Sequence, residues 1–161
     1  MPSGMTAPRH PLETRVPPPV VALVVAIAMW ALNRLVPGTS APGVVRTVVS
    51  GVLFALAILV AWSGIRTFAR LRTSIDPHHP EKATTLVTGG IFRLSRNPMY
   101  LSMVLALLGW AARLGRVWLV LGPVAFVLYV TSFQIRPEER ALAEKFGAEY
   151  ENYRRRTRRW L

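Results

Sequence analysis

The stretch TVVSGVLFALAILVAWSGI, Thr47 to Ile65, decides the fold. It holds 19 residues without one charge, between Arg46 and Arg66. Within it Val52–Ala61 is apolar on every side, with no polar stripe. A helix in a soluble bundle buries one apolar stripe and keeps a polar face. A helix in a bilayer needs about 20 apolar residues, with a range of about 17–25. Thr47–Ile65 therefore reads as a membrane span rather than a buried helix of a soluble bundle.

Outward from this run, the charges part three more times. Val16–Asn33 is uncharged over 18 residues, Asn97–Ala112 over 16 and Val117–Ile135 over 19. The first repeats the all-round apolar character in Val20–Ala28. Asn97–Ala112 is short, about 24 Å at 1.5 Å per residue, and is expected to begin in the segment before it. The reading is an all-α integral membrane protein of about four transmembrane helices. Helices three and four are joined only by Arg113-Leu114-Gly115-Arg116 as a tight hairpin, and a cytoplasmic helix follows at the C-terminus. An alternative takes the first run as a signal peptide, with Thr39-Ser40-Ala41 as its cleavage site.

Composition agrees. The 161 residues are 52% hydrophobic and only 17% charged, with a net charge of +12, against about 25% charge in soluble domains. High hydrophobicity excludes intrinsic disorder. With no cysteine, disulfides, zinc ribbons, thiol nucleophiles and iron–sulfur clusters are excluded. No period recurs, which excludes collagen, coiled coils and repeat arrays.

The basic residues set the orientation. Four spans put the segment before helix one, the middle segment and the tail on one side, with 16 Lys and Arg, and leave Arg34, Arg46, Arg113 and Arg116 on the other. The positive-inside rule places both termini and the middle segment in the cytoplasm. This accounts for the net charge through anionic membrane lipids. Nucleic acid is not an expected partner, because the basic residues flank spans.

Residues 1–15 are expected to form a mobile tail, and 16–161 a single membrane domain. Pro17-Pro18-Pro19 suits a helix start. Pro37-Gly38 and Pro42-Gly43 bracket a short outer turn. Asp76-Pro77 and His79-Pro80 break any helix in the middle segment, and Gly89-Gly90 adds a flexible point. Pro123 is expected to kink helix four, and Pro137 to start a new helix. There Leu142 and Phe146 share a face, Gly147 marks a stop or kink, and Tyr150 and Tyr153 follow. The basic end with Trp160 is expected to sit among lipid headgroups. His78 and His79 lack further ligands, and no metal site is expected.

Chemistry concentrates in two places. Thr84 to Tyr100 packs paired glycines, an Arg-Asn-Pro sequence and a tyrosine at the start of the third run. Arg136-Pro137-Glu138-Glu139 places twin carboxylates just past the fourth. Each alone also reads as ordinary: a glycine turn with a proline stop, and a solvated helix start favoured by the helix dipole. Together they lie at the same ends of adjacent helices and can meet.

The spacing Leu86-Val87-x-x-Gly90-x-Phe92-x-x-x-Arg96-Asn97-Pro98-Met99-Tyr100 resembles the core motif of the isoprenylcysteine carboxyl methyltransferase family, a pattern shared with bacterial members and phospholipid methyltransferases. Glu138-Glu139-x-x-Leu142-x-x-x-Phe146-Gly147-x-x-Tyr150-x-x-Tyr153 is similar to the family's tail motif. The resemblance covers about residues 70–160, the motif-bearing catalytic region. It implies a bacterial, multi-pass methyltransferase of the inner membrane that uses S-adenosylmethionine on a lipophilic or lipidated substrate. The implied cofactor positions are Thr84, Thr85, Leu86, Val87, Phe92, Asn97, Pro98, Met99, Tyr100, Glu138 and Glu139. Arg136 and Glu138 are the implied catalytic residues. The chain departs from the family at four places. Asn97 and Thr84 stand where some members have His, Phe92 where Tyr is common, and Gln134 where eukaryotic members have a substrate-binding Arg. Arg136 is the nearest substitute for that Arg. The acceptor stays open among an isoprenoid acid, a phospholipid amine and a small thiol. A sterol-type reductase and a membrane scaffold or lipid-binding protein are the competing readings.

Overall fold

The computed structural model describes residues 16–36, 42–71 and 86–161. The N-terminal tail, the Pro37-Gly38 half of the outer turn, Asp76-Pro77, His78, His79, Thr84 and Thr85 lie outside the described residues. Every described element is helical: α1 (Pro18–Leu35), α2 (Gly43–Leu71), α3 (Pro98–Leu114), α4 (Leu121–Val130) and α5 (Arg136–Arg156). Short 3₁₀ turns at Gly90–Arg93 and Val117–Val120 precede α3 and α4, and a π turn, Thr131–Ile135, joins α4 to α5.

Among the described residues three helices are long and apolar enough to cross a membrane: Pro18–Leu35, Gly43–Arg70 and Val117–Arg156. Pro98–Leu114 is a shorter apolar helix. In the apolar windows of α1 and α2 only 11% of residues are buried by protein. Val24, Ile27, Val52, Ile58 and Leu59 all face outward. Water would make that arrangement unstable, whereas lipid tails are as apolar as the side chains themselves. The chain is built as a multi-pass membrane protein.

The helices meet where side chains are small. Gly109 of α3 lets α2 come so close that a Cβ there would stand 3.3 Å from the Leu53 Cβ and 3.4 Å from the Phe54 ring. Gly122 of α4 does the same for α1, since a Cβ would fall 2.5 Å from the Met29 sulfur. Met29 is buried with Leu107, Leu119, Phe126, Val130 and Ile135 in the main core. Trp110 Nε1 donates to the Ala26 carbonyl at 3.0 Å, and Gln134 Nε2 donates to the Val16 carbonyl at 2.9 Å. This packing favours reading the first run as a span of the bundle. A second cluster joins Leu86, Val87 and Phe92 to Tyr150 and Tyr153, with Leu142 and Phe146 against it.

Pro123 is buried near the start of α4, just after the change from 3₁₀ to α geometry at Leu121. The expectation for Pro137 is corrected. Pro137 does not begin a separate helix, because the helix continues from α4 through the π turn into α5. The π turn explains this. The Arg136 N–H reaches back to the Thr131 carbonyl, and this wider loop relaxes the crowding that proline brings to a regular helix. Gly147 does interrupt α5, at φ 48 and ψ −121, backbone that only glycine adopts readily.

Candidate active site

The segment leading into α3 is held by the end of the chain. Thr157 leaves the helix with φ −129 and ψ 130, so residues 158–161 turn back. The Arg96 N–H donates to the Arg158 carbonyl at 3.0 Å. Asn97 Nδ2 and Ser95 Oγ both donate to the Arg159 carbonyl, at 3.0 and 3.3 Å. Ser95 Oγ also accepts from the Asn97 N–H at 3.1 Å. Trp160 is half-buried and packs against the main core. The two backbone carbonyls before it, Arg158 and Arg159, are taken by the motif.

Side chains reinforce this clasp. Arg159 forks onto Glu139, with Nε 3.1 Å from Oε1 and Nη2 2.6 Å from Oε2. That bond raises the pKa of Arg159 further. Arg96 Nη1 reaches the same carboxylate at 3.1 Å, with the two side chains only 10% and 13% exposed. It also donates to the Tyr150 hydroxyl at 3.4 Å. The Tyr153 hydroxyl donates to the Phe92 carbonyl at 2.7 Å, and the Phe92 ring meets Phe68 edge-on at 5.2 Å.

The neighbouring carboxylate is treated differently. Tyr100, in the first turn of α3, donates its hydroxyl to Glu138 Oε1. Among the described residues no salt bridge involves Glu138. Consecutive helical residues point about 100° apart. Glu139 thus faces two arginines, while Glu138 faces a neutral phenol and the protein interior. A carboxylate taken from water without a cation is costly, so Glu138 is complementary to a positively charged ligand group. Close by, Arg96 Nε is buried with no acceptor.

The residues singled out from sequence distribute as follows. Tyr100 and Glu138 touch, while Asn97 and Glu139 belong to the clasp. Leu86, Val87 and Phe92 form its apolar floor with the two tyrosines. Pro98 is fully buried. Met99 lies against α2, its sulfur 2.9 Å from where a Gly64 Cβ would be. Arg136 is exposed, and two residues from Glu138 it points to a different side of the helix. Arg96, Ser95, Tyr150 and Arg159 were not among the candidates. Arg96 and Tyr150 stand inside the two motifs, whereas Arg159 is one of five arginines in a row of six with no spacing to mark it.

The sequence model of the phospholipid methyltransferase family matches residues 45–149, more than half of the chain. The chain belongs to the phospholipid methyltransferase family. The match takes in both Tyr100 and Glu138 and stops before the Arg158–Trp160 clasp. An uncharacterized protein of Haemophilus influenzae is 48% identical over 63 residues, which is 39% of this chain and all of that protein. No solved structure matches. Membership makes this a membrane methyltransferase at the level of the family, whose methyltransferases generally use S-adenosylmethionine.

Proposed function

We propose that this protein transfers a methyl group from S-adenosylmethionine to a lipophilic acceptor at the cytoplasmic face of the inner membrane, in the manner of the isoprenylcysteine carboxyl methyltransferases. The supporting observation is the Tyr100–Glu138 contact, which joins the two motif blocks and leaves a half-buried carboxylate with no cation among the described residues. The donor set fits the cofactor's charges. Glu138 suits its sulfonium and ammonium, and the orphaned Arg96 Nε suits its carboxylate. When bound, S-adenosylmethionine supplies a methyl group already activated on sulfur, so no metal, covalent intermediate or acid–base pair is required of the protein.

The chain's own work is binding and alignment. Tyr100 fixes the Glu138 carboxylate in one orientation. Phe92, Leu86 and Val87 offer apolar surface to the nucleoside and keep water out; Thr84 and Thr85 are assigned to the cofactor by the motif resemblance alone. Asn97, Pro98 and Met99 fix the start of α3, and Glu139 holds Arg96 in place. Holding donor and acceptor in line supplies about 7–11 kcal/mol in the most favourable cases. Arg136, exposed at the surface, meets an anionic group of the acceptor. In this reading Asn97–Ala112 is the third of four spans, paired with the fourth as a hairpin, and both termini are cytoplasmic.

The test is calorimetry in detergent. Glu138→Ala is expected to abolish S-adenosylmethionine binding, and unchanged affinity removes Glu138 from the site. The family match favours a second acceptor, a phospholipid amine. Incubating membranes with labelled methyl donor separates the two. A carboxyl methyl ester releases its label in alkali, whereas an N-methyl group keeps it.

A further inference from the structure

A pocket of about 290 Å³ lies at the far end of α3 from the candidate site, lined among others by Val45, Arg46, Val49, Leu108, Ala112 and Arg116. The length of α3 puts about 25 Å between the two. Apart from the two arginines its side chains are apolar or absent. Both arginines have a buried Nε without an acceptor, and among the described residues neither is in a salt bridge. Their placement is built in. Gly115, at φ +82, leaves the turn open for Arg46, whose Cδ would stand 2.3 Å from a Cβ at that position. Arg116 is tied to the end of α1 by donating to the Val36 carbonyl.

Two guanidiniums held against an apolar surface, each with an unused donor, call for an anion with an apolar body. A free phosphate satisfies the donors and leaves the Val45, Val49 and Leu108 walls exposed. A neutral hydrocarbon covers the walls and leaves both cations unmatched. Val45, Val49, Val117 and Val120 are exposed around the opening, on helices whose surroundings are lipid, so an acyl chain can enter sideways. We propose that this pocket binds an anionic phospholipid, its phosphodiester on Arg46 and Arg116 and its acyl chain along the valine and leucine wall, in the leaflet opposite the candidate active site.

The test is native mass spectrometry of the full chain released from nanodiscs of phosphatidylglycerol and phosphatidylcholine. The wild-type chain is expected to retain one phosphatidylglycerol in preference to diacylglycerol added at equal mole fraction. Arg46→Gln and Arg116→Gln should each weaken retention about tenfold, the loss of one charge-assisted bond. Ala112→Trp fills the pocket with both charges intact and should weaken it as much, which keeps the test decisive if an arginine variant fails to fold. Arg113→Gln, an exposed cation of the same turn outside the pocket, should leave retention unchanged. Equal retention of diacylglycerol, displacement by excess inorganic phosphate, no effect of the pocket variants, or an equal effect of Arg113→Gln would each overturn the proposal.

Discussion

Glu138 and Glu139 are chain neighbours in opposite electrostatic circumstances, and conservative substitutions should separate them. Glu138→Gln preserves shape and the bond to Tyr100 but removes the charge. It should lower S-adenosylmethionine affinity at least about tenfold, the worth of one charge-assisted hydrogen bond, with little change in melting temperature. Glu139→Gln should lower the melting temperature. It strands Arg96, whose side chain is 10% exposed, and breaking a buried pair from one side costs about 3–5 kcal/mol. Calorimetry and thermal unfolding, run on both variants, check the pair. At this scale the legible residues were those in a fixed spacing. Tyr100 and Glu138 announce themselves through two motifs, and their meeting follows from lying at like ends of adjacent helices. Arg159 does not, because a run of arginines gives no sign of which one turns inward, and the backbone reversal at Thr157 decides that.

Among the elements, the π turn at Thr131–Ile135 sets the facing of everything after it. Removing the exposed Ser132 would rotate α5 by about 100° relative to α4 and carry Glu138 away from Tyr100. The deletion variant should still insert and purify as a monodisperse protein while losing cofactor binding. Gly147 gives a second test, on backbone rather than register. No atom lies within 4 Å of a Cβ built there, yet φ is +48. Gly147→Ala should therefore destabilise by about 1–3 kcal/mol through strain alone, measured as a drop in melting temperature. Helix positions were readable because charges mark where an apolar run ends: the expected span Val16–Asn33 is observed as Pro18–Leu35. The π turn was not readable, since no residue type signals an extra residue in a helical turn. In the sequence Pro137 therefore reads as a helix start, although a widened turn just before it makes proline tolerable.

For the whole molecule, orientation is testable because the chain has no cysteine. Arg113→Cys and Asn152→Cys both fall at exposed positions. With the proposed topology, a membrane-impermeant maleimide should label the first in intact cells and the second only after the membrane is opened. The two halves of the molecule also assemble on different terms. Span packing depends on close helix pairs such as Gly109 with Leu53 and Phe54. The clasp joins positions far apart along the chain: Phe92 to Tyr153, Arg96 to Arg158 and Asn97 to Arg159. Biogenesis is thereby split in time. The ribosome and insertion machinery can deliver every span before the clasp closes, so a clasp-breaking allele should reach the membrane in normal amount and be lost to quality control only afterwards.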